Sequence, residues 1–219
     1  MKRTAALAIL FMLAGCSSSG TSDYSQFYRA VRQSVAASFG DARITKAQAA
    51  AIPYASMGYR VNGGAEQLVV LATDANGEQL WTSAAHIVIV TRGGRITRTV
   101  GLEHDVSGVT PKSGQQIPDV GAALKDNVTY TRLEDFPDIP AYGAALVCTL
   151  SRKRAQTIVI LGRGIATIRI DEICRGTDLK WSFMDSYWID PGTGLAWRSR
   201  QHLNPKGVVI DTEILRPPG

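Results

Sequence analysis

Gln156-Thr157-Ile158-Val159-Ile160-Leu161, then Gly162-Arg163-Gly164, then Ile165-Ala166-Thr167-Ile168-Arg169-Ile170-Asp171-Glu172-Ile173 reads as one β-hairpin. Isoleucine, valine and threonine fill both arms, and their side chains suit a pleated strand better than a helix. Glycines mark the turn between them. Working outward, short runs of the same kind recur on both sides: Gly143 to Ser151 and Val128 to Glu134 before it, Lys180 to Ile189, Leu195 to His202 and Val208 to Leu215 after it. Asp190-Pro191-Gly192-Thr193-Gly194 separates two of these as a turn.

Nearer the amino terminus lie Tyr54 to Val61, Leu68 to Thr73, Gln79 to Thr91 and Arg95 to Leu102, punctuated by Asn62-Gly63-Gly64, Asp74-Ala75-Asn76-Gly77 and Arg92-Gly93-Gly94. Glu103 to Asp126 is richer in Gly, Pro, Ser and Asp and reads as irregular, with a helical turn near Val120 to Leu124. So many short strands with tight turns predict antiparallel meanders. The fold class is mainly β: curved antiparallel sheets, in an open barrel or sandwich-like meander, with one N-terminal amphipathic helix. That helix is predicted where Asp23 and Gln26 form a capping box and Tyr24, Phe27, Tyr28, Val31, Val35 and Phe39 recur at helical spacing until Gly40. Its apolar stripe is expected to dock on the domain, since only Arg29 and Arg32 offer charge to a membrane. Thr45 to Ala51 predicts a further short turn, ended by Pro53.

The first residues have a different logic. Lys2 and Arg3 precede the apolar run Ala5 to Ala14, which stops at Gly15-Cys16 before Ser17-Ser18-Ser19-Gly20. This is a signal-peptide layout, and the run covers only about half of the roughly 20 residues a helical membrane span needs. Leu13-Ala14-Gly15-Cys16 resembles a lipobox. It implies removal of residues 1–15, acylation of Cys16 as the lipidation site, and an anchor in outer-membrane lipid, each buried methylene contributing about 0.8 kcal/mol. Ser17 in place of aspartate implies the outer membrane. An ordinary secretory signal is the alternative. Residues 16–22 are then a lipidated cysteine and tether, and residues 23–219 a single periplasmic domain.

With Cys16 assigned to lipid, Cys148 and Cys174 remain in an oxidising compartment and are expected to form a disulfide, two buried free thiols being the alternative. Their runs are joined by the hairpin, so they can lie side by side. The formal charge of +5 falls by two when Lys2 and Arg3 leave, and no Lys/Arg block suggests nucleic acid as a partner.

His86, His104 and His202 share no metal-ligand spacing with one another or with a cysteine, so no metal is expected. The chain has no Gly-x-Ser-x-Gly elbow, and no catalytic residue and no cofactor is expected. A glycan-cleaving enzyme would need two facing carboxylates, with Asp171, Glu172, Asp185 and Asp190 as candidates. Asp171 and Glu172 lie on opposite faces of one strand and cannot pair, and Asp190 suits its turn. Trp181, Trp188 and Trp197, with Arg198, are candidate glycan contacts, because sugars stack on aromatic faces and acidic sugars attract guanidinium groups. Core packing is the stronger expectation for each tryptophan. Arg95 and Arg98 face opposite sides of their strand and give no sign of a site.

Four stretches in order resemble the YjbF/GfcB family of outer-membrane lipoproteins: Ala51-Ile52-Pro53-Tyr54-Ala55-Ser56-Met57; Leu80-Trp81-Thr82-Ser83-Ala84; Gly94-Arg95-Ile96-Thr97-Arg98-Thr99-Val100-Gly101-Leu102; and Tyr187-Trp188-Ile189-Asp190 with Thr193-Gly194-Leu195-Ala196-Trp197-Arg198-Ser199. The chain departs from the family pattern at Ala85-His86. The resemblance implies a non-enzymatic accessory in exopolysaccharide or capsule assembly or secretion, meeting other polysaccharide-export envelope proteins and a polysaccharide. A periplasmic glycan-modifying enzyme, and a lipid or lipoprotein carrier with an apolar half-barrel, are the rival expectations.

Overall fold

The computed structural model describes residues 43–139 and 141–219. Cys16, its tether and the helix expected over residues 24–39 lie outside the described residues. The described part opens with a short helix, α1 (Lys46–Ala50). Thr45 caps it: its Oγ1 accepts from the Gln48 N–H at 3.2 Å while Gln48 Oε1 accepts from the Thr45 N–H at 2.8 Å. None of the helices among the described residues is long and apolar enough to cross a membrane.

Twelve strands follow: β1 (Ser56–Val61), β2 (Gln67–Ala75), β3 (Glu78–Thr82), β4 (Val88–Arg92), β5 (Arg95–Val100), β6 (Gly108–Pro111), β7 (Val128–Phe136), β8 (Ala141–Ile160), β9 (Arg163–Gly176), β10 (Ser182–Ile189), β11 (Ala196–His202) and β12 (Val209–Arg216). All pair antiparallel in one sheet, in the order β5-β4-β3-β2-β1-β12-β11-β10-β9-β8-β7-β6. This is the sequence order read round a ring, broken once. At the break β5 and β6 still approach, and the Thr99 N–H donates to Val106 O at 2.9 Å. The sheet is therefore a nearly closed barrel, and the sandwich alternative, which needs two sheets, does not hold.

Three details correct the sequence reading. Gln79 to Thr91 is two strands, β3 and β4, because the chain reverses at Ser83–Ile87: the Ser83 N–H donates to Ile87 O at 3.0 Å, Ser83 Oγ accepts from the Ile87 N–H at 3.2 Å, and His86 takes φ 62°. Gly143 to Ser151 and Gln156 to Leu161 are one long strand, β8, whose register against β9 slips between Arg152 and Ala155 at a bulge. The stretch Glu103 to Asp126 contains β6 as well as the expected helical turn, a 3-10 segment at Val120–Leu124.

The core forms on the concave side of the sheet. Tyr59, Val69, Trp81, Ile89 and Ile210 centre one cluster, and Leu146, Leu150, Ile170 and Ile189 a second, roofed by Val120 and Ala123 of the 3-10 segment. Each such side chain contributes about 1.5–3 kcal/mol on burial. The tip of the β8–β9 hairpin curls back, so that Ile158, Ile160 and Ile165 pack into the first cluster with Trp197.

Candidate functional site

Four polar side chains from three strands converge inside the barrel on one carboxylate, Glu172 of β9. Period two places Glu172 on the same face as Ile170 and Cys174, both fully buried, and opposite Asp185 of β10 in the ladder. Its Oε1 accepts from Arg95 Nη2 at 2.7 Å and from the Tyr130 hydroxyl. Its Oε2 accepts from Arg132 Nη1 and from the Tyr187 hydroxyl, each at 3.1 Å. Tyr130 and Arg132 stand two apart on β7, whereas Arg95 arrives from β5, 77 positions away in sequence. Gln201 of β11 completes the set: its Oε1 accepts from the Ile96 N–H at 2.8 Å and its Nε2 donates to Gly94 O at 3.1 Å.

Two further acids border this set. Glu134 Oε1 lies 2.7 Å from Arg132 Nε, an ion pair whose angles are not those of a linear hydrogen bond. Asp185 Oδ1 accepts from the His202 backbone N–H at 2.8 Å and sits 3.0 Å from His202 Nδ1.

The electrostatics differ from acid to acid. Burial disfavours the Glu172 charge, but the guanidinium groups of Arg95 and Arg132 outweigh it and bring the carboxyl down to about 2. For Glu134 burial wins over the single partner Arg132, and its carboxyl rises to about 7. Burial also raises Asp185, against the hydrogen bond from His202. Burial raises the Tyr130 hydroxyl as well, with the Glu172 charge adding to it. Glu172 is thus a fully engaged anion that ties β5, β7, β9 and β10 together. It has no lone pair directed at an open cleft, and with four donors it is unsuited to general-base work.

The disulfide Cys148–Cys174 joins directly opposed residues of β8 and β9, S–S 2.04 Å. Among the described residues the one cluster of metal-ligating types is Cys148, Glu172 and Cys174, and its sulfurs are bonded to each other while its carboxylate holds two arginines. The residues present do not fit a metal.

The four candidate sugar contacts do not form one surface. Trp181 packs against Phe136 and Phe183 at ring-centroid distances of 5.7 and 4.1 Å. Trp197 is buried in the first core cluster beneath Arg163. Trp188 is half-buried on the other face of the sheet, donates from Nε1 to Gln156 Oε1 at 2.9 Å, and has the guanidinium carbons of Arg169 and Arg198 5.6 and 5.8 Å from its ring. Arg198 is spent on Glu213 at 2.9 Å and Val159 O at 3.0 Å. These contacts clamp the β8–β9 tip to the sheet. Asp171 faces away from Glu172 and pairs with Arg169 at 2.7 Å, and Asp190 accepts from the Gly192 N–H at 2.8 Å within its turn. His104 meets Asp138 at 2.8 Å, and His86 makes the β3–β4 turn.

The comparisons with known proteins agree along most of the chain. Residues 28–215 match the family model described as group 4 capsule polysaccharide lipoprotein GfcB, YjbF. The lipoprotein GfcB of Escherichia coli K12 is 30% identical over 81% of this chain and 83% of its own length. The lipoprotein YjbF of the same organism is 24% identical over 99% of this chain and 98% of its own. The crystal structure of the hypothetical lipoprotein YmcC from Escherichia coli K12 superposes with a TM-score of 0.73 at 27% identity, covering 88% of this chain and 95% of that one. A family match of this extent, a relative of this identity and a shared barrel-like fold together lead to one conclusion: the chain belongs to the YjbF/GfcB family of lipoproteins.

Proposed function

We propose that the protein is an outer-membrane lipoprotein, anchored through acylated Cys16 and facing the periplasm, that assists exopolysaccharide or capsule assembly or secretion without catalysing a reaction itself. The observation that carries this reading is the match over residues 28–215 to a family described as a capsule polysaccharide lipoprotein. The geometry supports the non-catalytic part. Glu172 is saturated by donors, Asp171 is held by Arg169, and Asp185 faces His202, so these acids do not pair across a cleft as a glycan-cleaving enzyme requires. The carrier reading needs an apolar cavity, whereas the space the strands enclose holds Arg95, Arg132 and Glu172 among Trp81, Tyr59 and Tyr187. The partners in this proposal are outer-membrane lipid, other envelope proteins of polysaccharide export, and the polysaccharide.

Deleting the gene in its host and quantifying surface polysaccharide under inducing conditions tests the reading. Loss of polysaccharide, restored by the wild-type gene and not by Cys16→Ser, is the expected result. Unchanged polysaccharide in the deletion strain sinks the accessory role, and full restoration by Cys16→Ser sinks the anchor.

A further inference from the structure

The one break in the ring of strands is a window with a defined frame. At one end Asp105 holds it shut: its carboxylate accepts from Thr99 Oγ1 at 2.8 Å and from the Gly101 N–H at 3.0 Å, while Arg98 Nε donates to Ser107 O at 3.1 Å. Toward Arg95 and Pro111 no ladder joins the two strands. The far end is crossed by the segment after β6. It leaves beside β7, where the Thr131 N–H donates to Gln115 Oε1 at 3.1 Å, and reaches the β4–β5 turn, where the Val120 N–H donates to Gly93 O at 3.3 Å.

Two adjoining cavities of about 390 and 520 Å³ open along this frame and share Glu78, Thr97 and Val109. Both volumes are those of small-ligand sites. Their lining combines hydroxyl and amide groups (Thr73, Asn76, Thr97, Thr110, Gln116) with aliphatic side chains (Leu80, Val90, Val109, Ile117). The charges balance. Arg95 is committed to Glu172, which leaves Arg92 and Arg98 against Glu78 and Asp119, and Arg92 pairs with Glu78 at 3.2 Å.

Unpaired strand edges also attract extended peptides. These edges are built against that. β6 has four residues and ends in Pro111, which has no N–H to give, and β5 carries the exposed Arg98, the devices by which proteins blunt an edge. A neutral chain rich in hydroxyls fits what remains, donating to and accepting from the rim while its C–H faces lie on the aliphatic side chains.

We infer that the β5–β6 window binds a short stretch of uncharged polysaccharide. This rests on the accessory reading above and names the site through which the protein would hold its glycan. The test uses the full lipidated chain in detergent, titrated calorimetrically with oligosaccharides obtained by partial acid hydrolysis of the host's surface polysaccharide and split into neutral and acidic fractions. The neutral fraction is expected to bind saturably. The double variant Thr110→Ala with Gln116→Ala, both exposed rim residues, is expected to weaken binding at least tenfold, and Trp188→Ala to leave it unchanged. Absence of saturable binding, equal binding by the rim variant, binding of the acidic fraction alone, or loss of binding in Trp188→Ala overturns the window. If gene deletion abolishes polysaccharide while the window test fails, the accessory role stands and the binding site falls. If deletion changes nothing, the accessory role falls by itself.

Discussion

Glu172 has the most to lose from substitution, since it is fully buried and two arginines that are themselves buried depend on it. Removing one member of such a set leaves its partners charged in a medium that solvates them poorly. Glu172→Gln is accordingly expected to destabilise the fold by about 3–5 kcal/mol, read from urea unfolding. Glu134 has the opposite sign. Its native carboxyl sits near 7, above the ordinary 4.5, so the folded protein holds this proton more tightly than the unfolded chain. Its contribution is therefore present at and below about pH 4.5 and lost as pH climbs through 7. The thermal midpoint should fall between pH 5 and 8, and Glu134→Gln should flatten that fall; an identical slope in the variant would show that Glu134 is not its source. At this scale the sequence was partly legible. Period two put Asp171 and Glu172 on opposite faces, as the structure has them, but it could not reveal that Arg95, 77 residues away, reaches Glu172. Pattern along a strand reports which face a side chain takes and is silent about what meets it there.

Among the elements, the β8–β9 hairpin holds the greatest number of devices: the longest ladder in the sheet, a bulge, and the Cys148–Cys174 bridge. The bridge links residues 26 positions apart, and the chain-entropy model values such a loop at about 3.5 kcal/mol. Reduction, or Cys148→Ser with Cys174→Ser, is expected to lower the unfolding free energy by about 2–4 kcal/mol while circular dichroism retains its β signature. Loss of the fold itself under reduction would mean that the core cannot hold the strands alone. The hairpin was readable because both arms are long, rich in β-branched residues and separated by glycines. The β3–β4 turn was not, because Ser83-Ala84-Ala85-His86 has no residue that announces a reversal and relies on His86 accepting a positive φ. β6 is illegible for another reason: four residues ending in proline look like loop until a neighbour shows that they pair.

For the molecule as a whole, local pattern predicted antiparallel meanders, and the closure of those meanders into one barrel was beyond its reach. Among the described residues, every ladder but one joins strands that follow each other in sequence, and the exception is β1 with β12. Without it the protein would be two separate meanders, β1–β5 and β6–β12, linked by the loop at residues 101–107. The joint that makes them one sheet thus depends on the first and last strands of the domain. A polypeptide that emerges amino end first presents the β1 edge long before its mate exists, and that edge stays open to foreign strands until the final segment appears. Newly made chains are consequently at greatest risk of aggregation just before completion, and a truncation that removes β12 leaves that vulnerability permanent.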